Sequence, residues 1–65
     1  ASRPDAPNAR MNLALAVLKQ GRRAEARDLY RAVAEAAEAA ALPDLAARAR
    51  LAAELVERQL ALDRE

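Results

Sequence analysis

The side chains that could do chemistry in this chain are carboxylates set three residues apart. Glu35 with Glu38, and Glu54 with Glu57, have the i, i+3 spacing that brings two side chains to one face of a helix. Such a pair could act as general acid and base or begin a metal site. We expect neither, because both pairs lie among arginines on solvated faces, where nothing would raise the pKa of a carboxyl group for general acid work.

Other catalytic groups are scarce. The chain has no His, no Cys and no glycine-rich phosphate loop, and its single serine, Ser2, lies in the expected lead-in. Without thiolates a cysteine-based metal site is excluded, and no cofactor motif is present. We therefore expect no enzymatic activity, no cofactor and no metal site.

Basic residues cluster around the only glycine, Gly21, and could meet phosphate or an acidic partner, although a solvated loop explains them as well. These residues are Lys19, Arg22, Arg23 and Arg27. The chain as a whole is nearly neutral, at +1, with 11 basic and 10 acidic residues interspersed. Tyr30 is the only aromatic residue, which argues against a nucleic-acid reader because such proteins stack bases on several aromatic side chains.

Neither end of the chain resembles a targeting or membrane segment. No apolar run approaches the roughly 18 residues of a membrane span, and no signal-peptide pattern is visible. We expect a soluble chain without membrane insertion, and the cytoplasm is slightly favoured as its location. Because the chain starts with Ala-Ser, we also expect it to be a piece of a longer protein.

Three helices are needed to position these residues. Hydrophobic periodicity predicts a single all-α domain: an antiparallel helical hairpin followed by a capping helix. Gly21 ends the first helix in a left-handed conformation, Pro43 ends the second near Ala41, and Asp44 can cap the third. The predicted segments are a flexible lead-in over 1–5, helices over about 6–20, 23–41 and 44–62, and a frayed end over 63–65.

The apolar stripes of these helices are wide. The first helix has its apolar stripe at Leu13, Ala14, Val17 and Leu18, extended by Met11 and Leu15. The predicted inward positions of the second are Ala26, Leu29, Tyr30, Val33, Ala37 and Ala40, and its outward face includes an i, i+4 pair of Arg31 and Glu35. The third has one stripe of Leu45, Ala49, Ala52, Val56 and Leu60, and a second row of Leu51, Leu55 and Leu62. Stripes this wide exceed what one neighbouring helix covers, so we expect a further partner.

The spacing of small and large residues resembles the tetratricopeptide repeat, a helical hairpin of 34 residues. With Gly21 as the turn glycine, the first-helix positions of the family fall on Leu13, Ala14 and Val17. Its second-helix alanine and aromatic positions fall on Ala26 and Tyr30. The chain departs from the family at Arg10, where the tryptophan is expected, and at Val33, where an alanine is expected. Its prolines Pro4 and Pro43 are 39 residues apart, which is longer than the 34-residue repeat. The resemblance implies the terminal hairpin of a repeat array, closed by a capping helix.

Two functions follow from this interpretation. The first is a protein–protein interaction scaffold that binds a partner peptide or helix through the first helix and the turn, at Met11, Asn12, Leu15, Leu18, Lys19 and Arg22. The alternative is a homo-oligomerisation domain that forms a helical bundle along a seam of Ala36, Ala40, Leu51, Leu55 and Leu62. The identity of the protein or peptide partner does not follow from the sequence.

Overall fold

Three α-helices make up the described part of the chain. A computed structural model describes residues 7–63, with the side chains of residues 9–63. Its helices are α1 (Pro7–Lys19), α2 (Arg23–Ala39) and α3 (Pro43–Asp63), joined by turns of three residues, and no strand occurs in this range. The predicted all-α fold of three helices is thus confirmed. The expected lead-in over 1–5 lies outside the described residues, as do Arg64 and Glu65.

The helix α2 is the centre of the fold. It packs along both α1 and α3, whereas α1 and α3 barely approach each other. Arg23 at the start of α2 pairs with Asp63 at the end of α3, and Glu38 near the end of α2 pairs with Arg50. These pairs show that α2 and α3 run antiparallel, as the short turn between them requires.

Both turns are built on the same hydrogen-bonding pattern. After α1, the amide of Arg22 donates to the carbonyl of Val17 at 3.2 Å, and that of Gly21 donates to Leu18 at 3.0 Å. The pattern is a Schellman motif, and it requires the left-handed conformation that Gly21 adopts, with φ +88°. The glycine end predicted for the first helix is confirmed.

The second turn repeats the motif without a glycine. Leu42 donates to the carbonyl of Ala37 at 2.8 Å and Ala41 donates to Glu38 at 3.1 Å, while Ala41 itself takes φ +58°. The predicted end of α2 near Ala41 is therefore late, because the motif already closes the helix at Ala39.

The first turns of α2 and α3 differ in how they begin. No side chain caps α2, because Arg22 at the cap position lacks the short oxygen-bearing side chain of a capping residue. The helix α3 begins at Pro43, and the carbonyl of Leu42 accepts the first bond from Ala46 at 3.0 Å. Proline suits this first position because it has no amide hydrogen to satisfy. Asp44 therefore lies inside the first turn, favourable to the helix dipole, and is not the cap that the sequence suggested.

The core is built mainly from alanine. On α2 the buried positions include Ala26, Tyr30, Val33 and Ala37, and on α3 they are Ala46, Ala49, Ala53 and Val56. Both sets alternate spacings of three and four residues, the pattern of helices that pack side by side. Ala14 and Val17 of α1 complete the larger of two clusters around Tyr30.

The core differs from the prediction at several positions, and on α3 the buried Ala46 and Ala53 were absent from the predicted stripe. Ala40 is exposed because α2 has already ended, and Ala34, absent from the predicted set, is buried beside Val33 and Ala49. Leu13 is also exposed, since α1 directs Ala14 and Val17 inward and leaves Leu13 on its flank.

Candidate functional site

The leucines of this chain lie outside its core. None of the ten leucines is buried: six are exposed and four are partly buried at the edge of the core. Leucine normally ranks among the most often buried residues, above alanine. The exposed six are Leu13, Leu15, Leu42, Leu51, Leu55 and Leu62. The large apolar side chains of this chain therefore lie on the surface or at the edge of a core built mainly of alanine.

One side of α1 combines several of the predicted partner-binding residues. Leu15 is separated by three or four positions from Met11, Leu18 and Lys19, so the four side chains follow one another along this side of the helix. Met11 and Leu18 are partly buried and pack against the core. Leu15 stands out from it with 44% of its surface exposed. The predicted group thus contains two apolar side chains held against the core, Met11 and Leu18, and one exposed leucine, Leu15.

The remaining members of the group are polar and exposed. Lys19 ends α1, and Arg22 is held at the same end because its amide bonds back to Val17. Among the carboxylates of residues 9–63, the guanidinium of Arg22 approaches Glu25 alone, at 3.9 Å, and both side chains are more than half exposed. Asn12 is exposed as well, one position from Met11. Lys19 therefore lies one helical turn from Leu15, and the charges of Lys19 and Arg22 face solvent at the end of α1.

The flank of α1 opposite Leu15 was missed as a surface. Leu13 and Leu15 lie on either side of the buried Ala14, and Leu13 is 52% exposed. The sequence does indicate this surface: if Ala14 and Val17 face the core, helical geometry places Leu13 and Leu15 on the two flanks of the helix.

The residues of the alternative oligomer seam do not form one surface. Leu51, Leu55 and Leu62 are exposed on the side of α3 opposite the buried Ala49, Ala53 and Val56, so they point away from α2. Ala36 of α2 and Ala40, which directly follows that helix, cannot share that side, and Ala36 is half-buried. The structure leaves a row of three leucines on α3 as the coherent part of the predicted seam.

The carboxylate pairs lie along the groove between α2 and α3. This groove has a volume of about 490 Å³, and its lining includes Arg31, Ala34, Glu35, Glu38, Arg50, Ala53, Glu54 and Glu57. Arg31 pairs with Glu57 across the groove, and Arg50 pairs with Glu38. The predicted pair of Arg31 with Glu35 is therefore wrong, because the facing helix offers Arg31 a closer carboxylate. Within residues 7–63, no group of three or more acidic, His or Cys side chains is placed to hold a metal ion.

Tyr30 has a structural place in the fold. It is 4% exposed, and burial raises the pKa of its phenol above the ordinary value because the phenolate would lose hydration. It lies in the cluster formed by Ala14, Ala26 and Val56, as expected for a core residue.

Comparison with known proteins identifies no relative of this chain. No protein-family model, no curated protein and no solved structure matches the chain. Within the described part of the chain, none of the three helices is long and apolar enough to cross a membrane.

Proposed function

We propose that this chain is a non-catalytic protein-interaction module, similar to the terminal hairpin of a tetratricopeptide array, in which α1 binds a partner peptide or helix. The observation that supports it is the inverted distribution of apolar residues: alanines fill the core while leucines stay outside. The contact surface consists of Met11, Asn12, Leu15, Leu18, Lys19 and Arg22.

Apolar burial would supply most of the binding free energy. Fully burying a leucine is worth about 1.5–3 kcal/mol, and Leu15 has a little under half of its surface left to bury. Met11 and Leu18 are already fixed by the core, so a partner would meet a preformed base and lose little side-chain entropy in ordering it. Lys19 and Arg22 would orient the partner at the rim, where charges change specificity more than affinity.

The test is capture of a partner by the chain and by two leucine variants. Leu15→Asp should abolish capture, and Leu62→Asp, the same substitution at an exposed site on α3, should leave it intact. Circular dichroism of both variants checks that each keeps the helical content of the parent. Equal capture by the two variants would remove α1 as the binding surface.

A second candidate function is homo-oligomerisation through the row of Leu51, Leu55 and Leu62. Its specific support is that the three side chains, each more than half exposed, share one side of α3. Sedimentation equilibrium over a wide concentration range tests it, because the stability of a dimer depends on protomer concentration. A dimer that Leu55→Asp dissociates and Leu15→Asp does not would support this function, and a monomer at all concentrations would exclude it.

A further inference from the structure

Charge is distributed unevenly between α1 and the other two helices. From Pro7 to Ala24 the chain contains no Asp or Glu, although it contains Arg10, Lys19, Arg22 and Arg23. All acidic residues of the described range lie between Glu25 and Asp63, on α2 and α3. The helix α1 itself carries two basic residues, Arg10 and Lys19, and no acidic one, whereas α2 and α3 carry charges of both signs.

Four of the six arginines on α2 and α3 are matched by carboxylates within the fold, and among residues 9–63 Arg48 and Arg58 on α3 take part in no ion pair. Arg31 pairs with Glu57, Arg50 pairs with Glu38, and Arg23 is tied to Asp63. Arg27 lies 3.1 Å from Asp28. Among the ion pairs of residues 9–63, none involves Arg10 or Lys19, and Arg22 has only its distant contact with Glu25. What distinguishes the end of α1 within the described residues is that Lys19 and Arg22 have no carboxylate closer than 3.9 Å, that α1 carries no acidic residue, and that Lys19 lies one helical turn from Leu15.

We propose that the occupant of the α1 surface is an acidic amphipathic helix. This inference rests on the proposed function and specifies the chemistry of its partner. The apolar side of such a helix would cover Leu15 and the edges of Met11 and Leu18, and its carboxylates would meet Lys19 and Arg22. Opposite potentials on facing surfaces speed association and disfavour partners of like charge. A helix within a partner chain fits this surface better than the end of a chain would, because the apolar side chains run along α1 and are not confined to one point.

An anionic membrane is the competing occupant of a basic apolar surface, and α1 suits it less well. Helices that lie on membranes combine a strongly basic polar face with Trp, Phe or Leu on the other. The outward side of α1 instead carries Asn12 and Ala16, and the helix has no aromatic residue. A protein helix with leucines between acidic residues matches this pattern better.

The experiment uses the whole 65-residue chain and three synthetic peptides. The peptides are amidated, about 18 residues long so that they exceed the length at which isolated helices are marginal, and share one leucine pattern. Their polar positions are Glu, Gln or Lys. We expect the acidic peptide to bind about tenfold more tightly than the neutral one at low salt, the factor that two or three surface ion pairs together supply. The basic peptide should bind most weakly.

Matched variants locate the contact. Lys19→Glu with Arg22→Glu should remove the preference for the acidic peptide, whereas Arg48→Glu with Arg58→Glu on α3 makes the same charge change and should retain it. Raising the salt concentration should reduce the preference in the parent chain because exposed charges are screened. Circular dichroism of each variant confirms that its helices persist.

The outcomes separate this inference from the proposed function. Equal binding of the acidic and basic peptides, or no detectable binding of the acidic one, overturns the acidic partner. Binding of phosphatidylserine vesicles without binding of the acidic peptide would overturn it too, and would assign the surface to an anionic membrane. The proposed function fails only if partner capture is insensitive to Leu15→Asp.

Discussion

Gly21 and Ala41 occupy the same position in two copies of one turn, twenty residues apart, and both have positive φ. The bonds are the same in each copy, from the following residue to the carbonyl five positions back. Glycine adopts this conformation freely, whereas alanine brings its Cβ close to the following carbonyl. The second turn is therefore a strained version of the first.

We expect Ala41→Gly to stabilise the fold by about 1 kcal/mol, because it removes that strain. In a domain of this size such a gain raises Tm by roughly 4–8 °C. Thermal unfolding followed by circular dichroism measures it. Gly21→Ala is the reverse control and should cost a similar amount, since no atom lies within 4 Å of the added Cβ and only the backbone resists it. An unchanged or lower Tm for Ala41→Gly would contradict the positive φ at this position.

Val33 is the largest side chain that is completely buried, and Leu62 is the most exposed leucine at 70%. We expect Val33→Ala to destabilise the fold by about 2 kcal/mol, from lost burial and the cavity left behind. For a domain of marginal stability this loss is severe. Leu62→Ala, which removes more apolar atoms, should change stability by less than about 0.5 kcal/mol. Urea unfolding of both variants measures the difference, and equal losses would contradict the assigned core.

Arg31 contacts Glu57 on the facing helix and not Glu35 on its own. A double-mutant cycle of Arg31→Ala with Glu57→Ala should yield a coupling energy of about 0.2–1 kcal/mol at low salt, since both side chains are partly exposed. The parallel cycle with Glu35→Ala should show a smaller coupling. Denaturant unfolding supplies the free energies, and added salt should reduce the first coupling. The opposite ranking would favour the pairing along α2.

Tyr30 should make the fold sensitive to alkaline pH. Because burial raises the pKa of its phenol, the unfolded chain loses the phenolic proton first, at pH about 10. The contribution of Tyr30 is therefore complete below this pH and is lost as pH rises toward the folded pKa. The unfolding free energy of the parent should fall more steeply above pH 10 than that of Tyr30→Phe. Phenolate absorbance gives the pKa directly, since the chain has one tyrosine and no tryptophan. Parallel pH profiles for the parent and the variant would exclude this role.

The sequence is sufficient to predict three helices and the first turn. Hydrophobic periodicity indicates the helices, and a glycine between two helical patterns, such as Gly21, indicates a turn. The second turn has no such signal: alanine does not favour positive φ, so the end of α2 at Ala39 depends on bonds formed only in the folded chain. A segment of alternating Leu and Ala, as at 13–16, is apolar on every side. Only packing selects Ala14 for the core and leaves both adjacent leucines outside.

The relative positions of the candidate site residues follow only in part from the sequence. Met11, Leu15, Leu18 and Lys19 share a side because helical spacing alone requires it. The position of Arg22 at the end of α1 depends on the turn, in which the amide of Arg22 donates to the carbonyl of Val17. The match of Arg31 to Glu57 depends on how α3 is aligned along α2, which no local pattern specifies.

Because the core is built mainly of alanine and the leucines lie outside it, the stability of this chain would depend on a bound partner under the proposed function. Six of the ten leucines stay exposed when the chain folds, and under the proposed function a partner would bury part of this apolar area. A partner present at one hundred times its dissociation constant would add about 2.7 kcal/mol to the folded state by mass action, a large fraction of what a small domain possesses. In a cell the bound chain would persist while the free chain, unfolding more often, would be removed by proteases. The amount of partner would then set the amount of this protein.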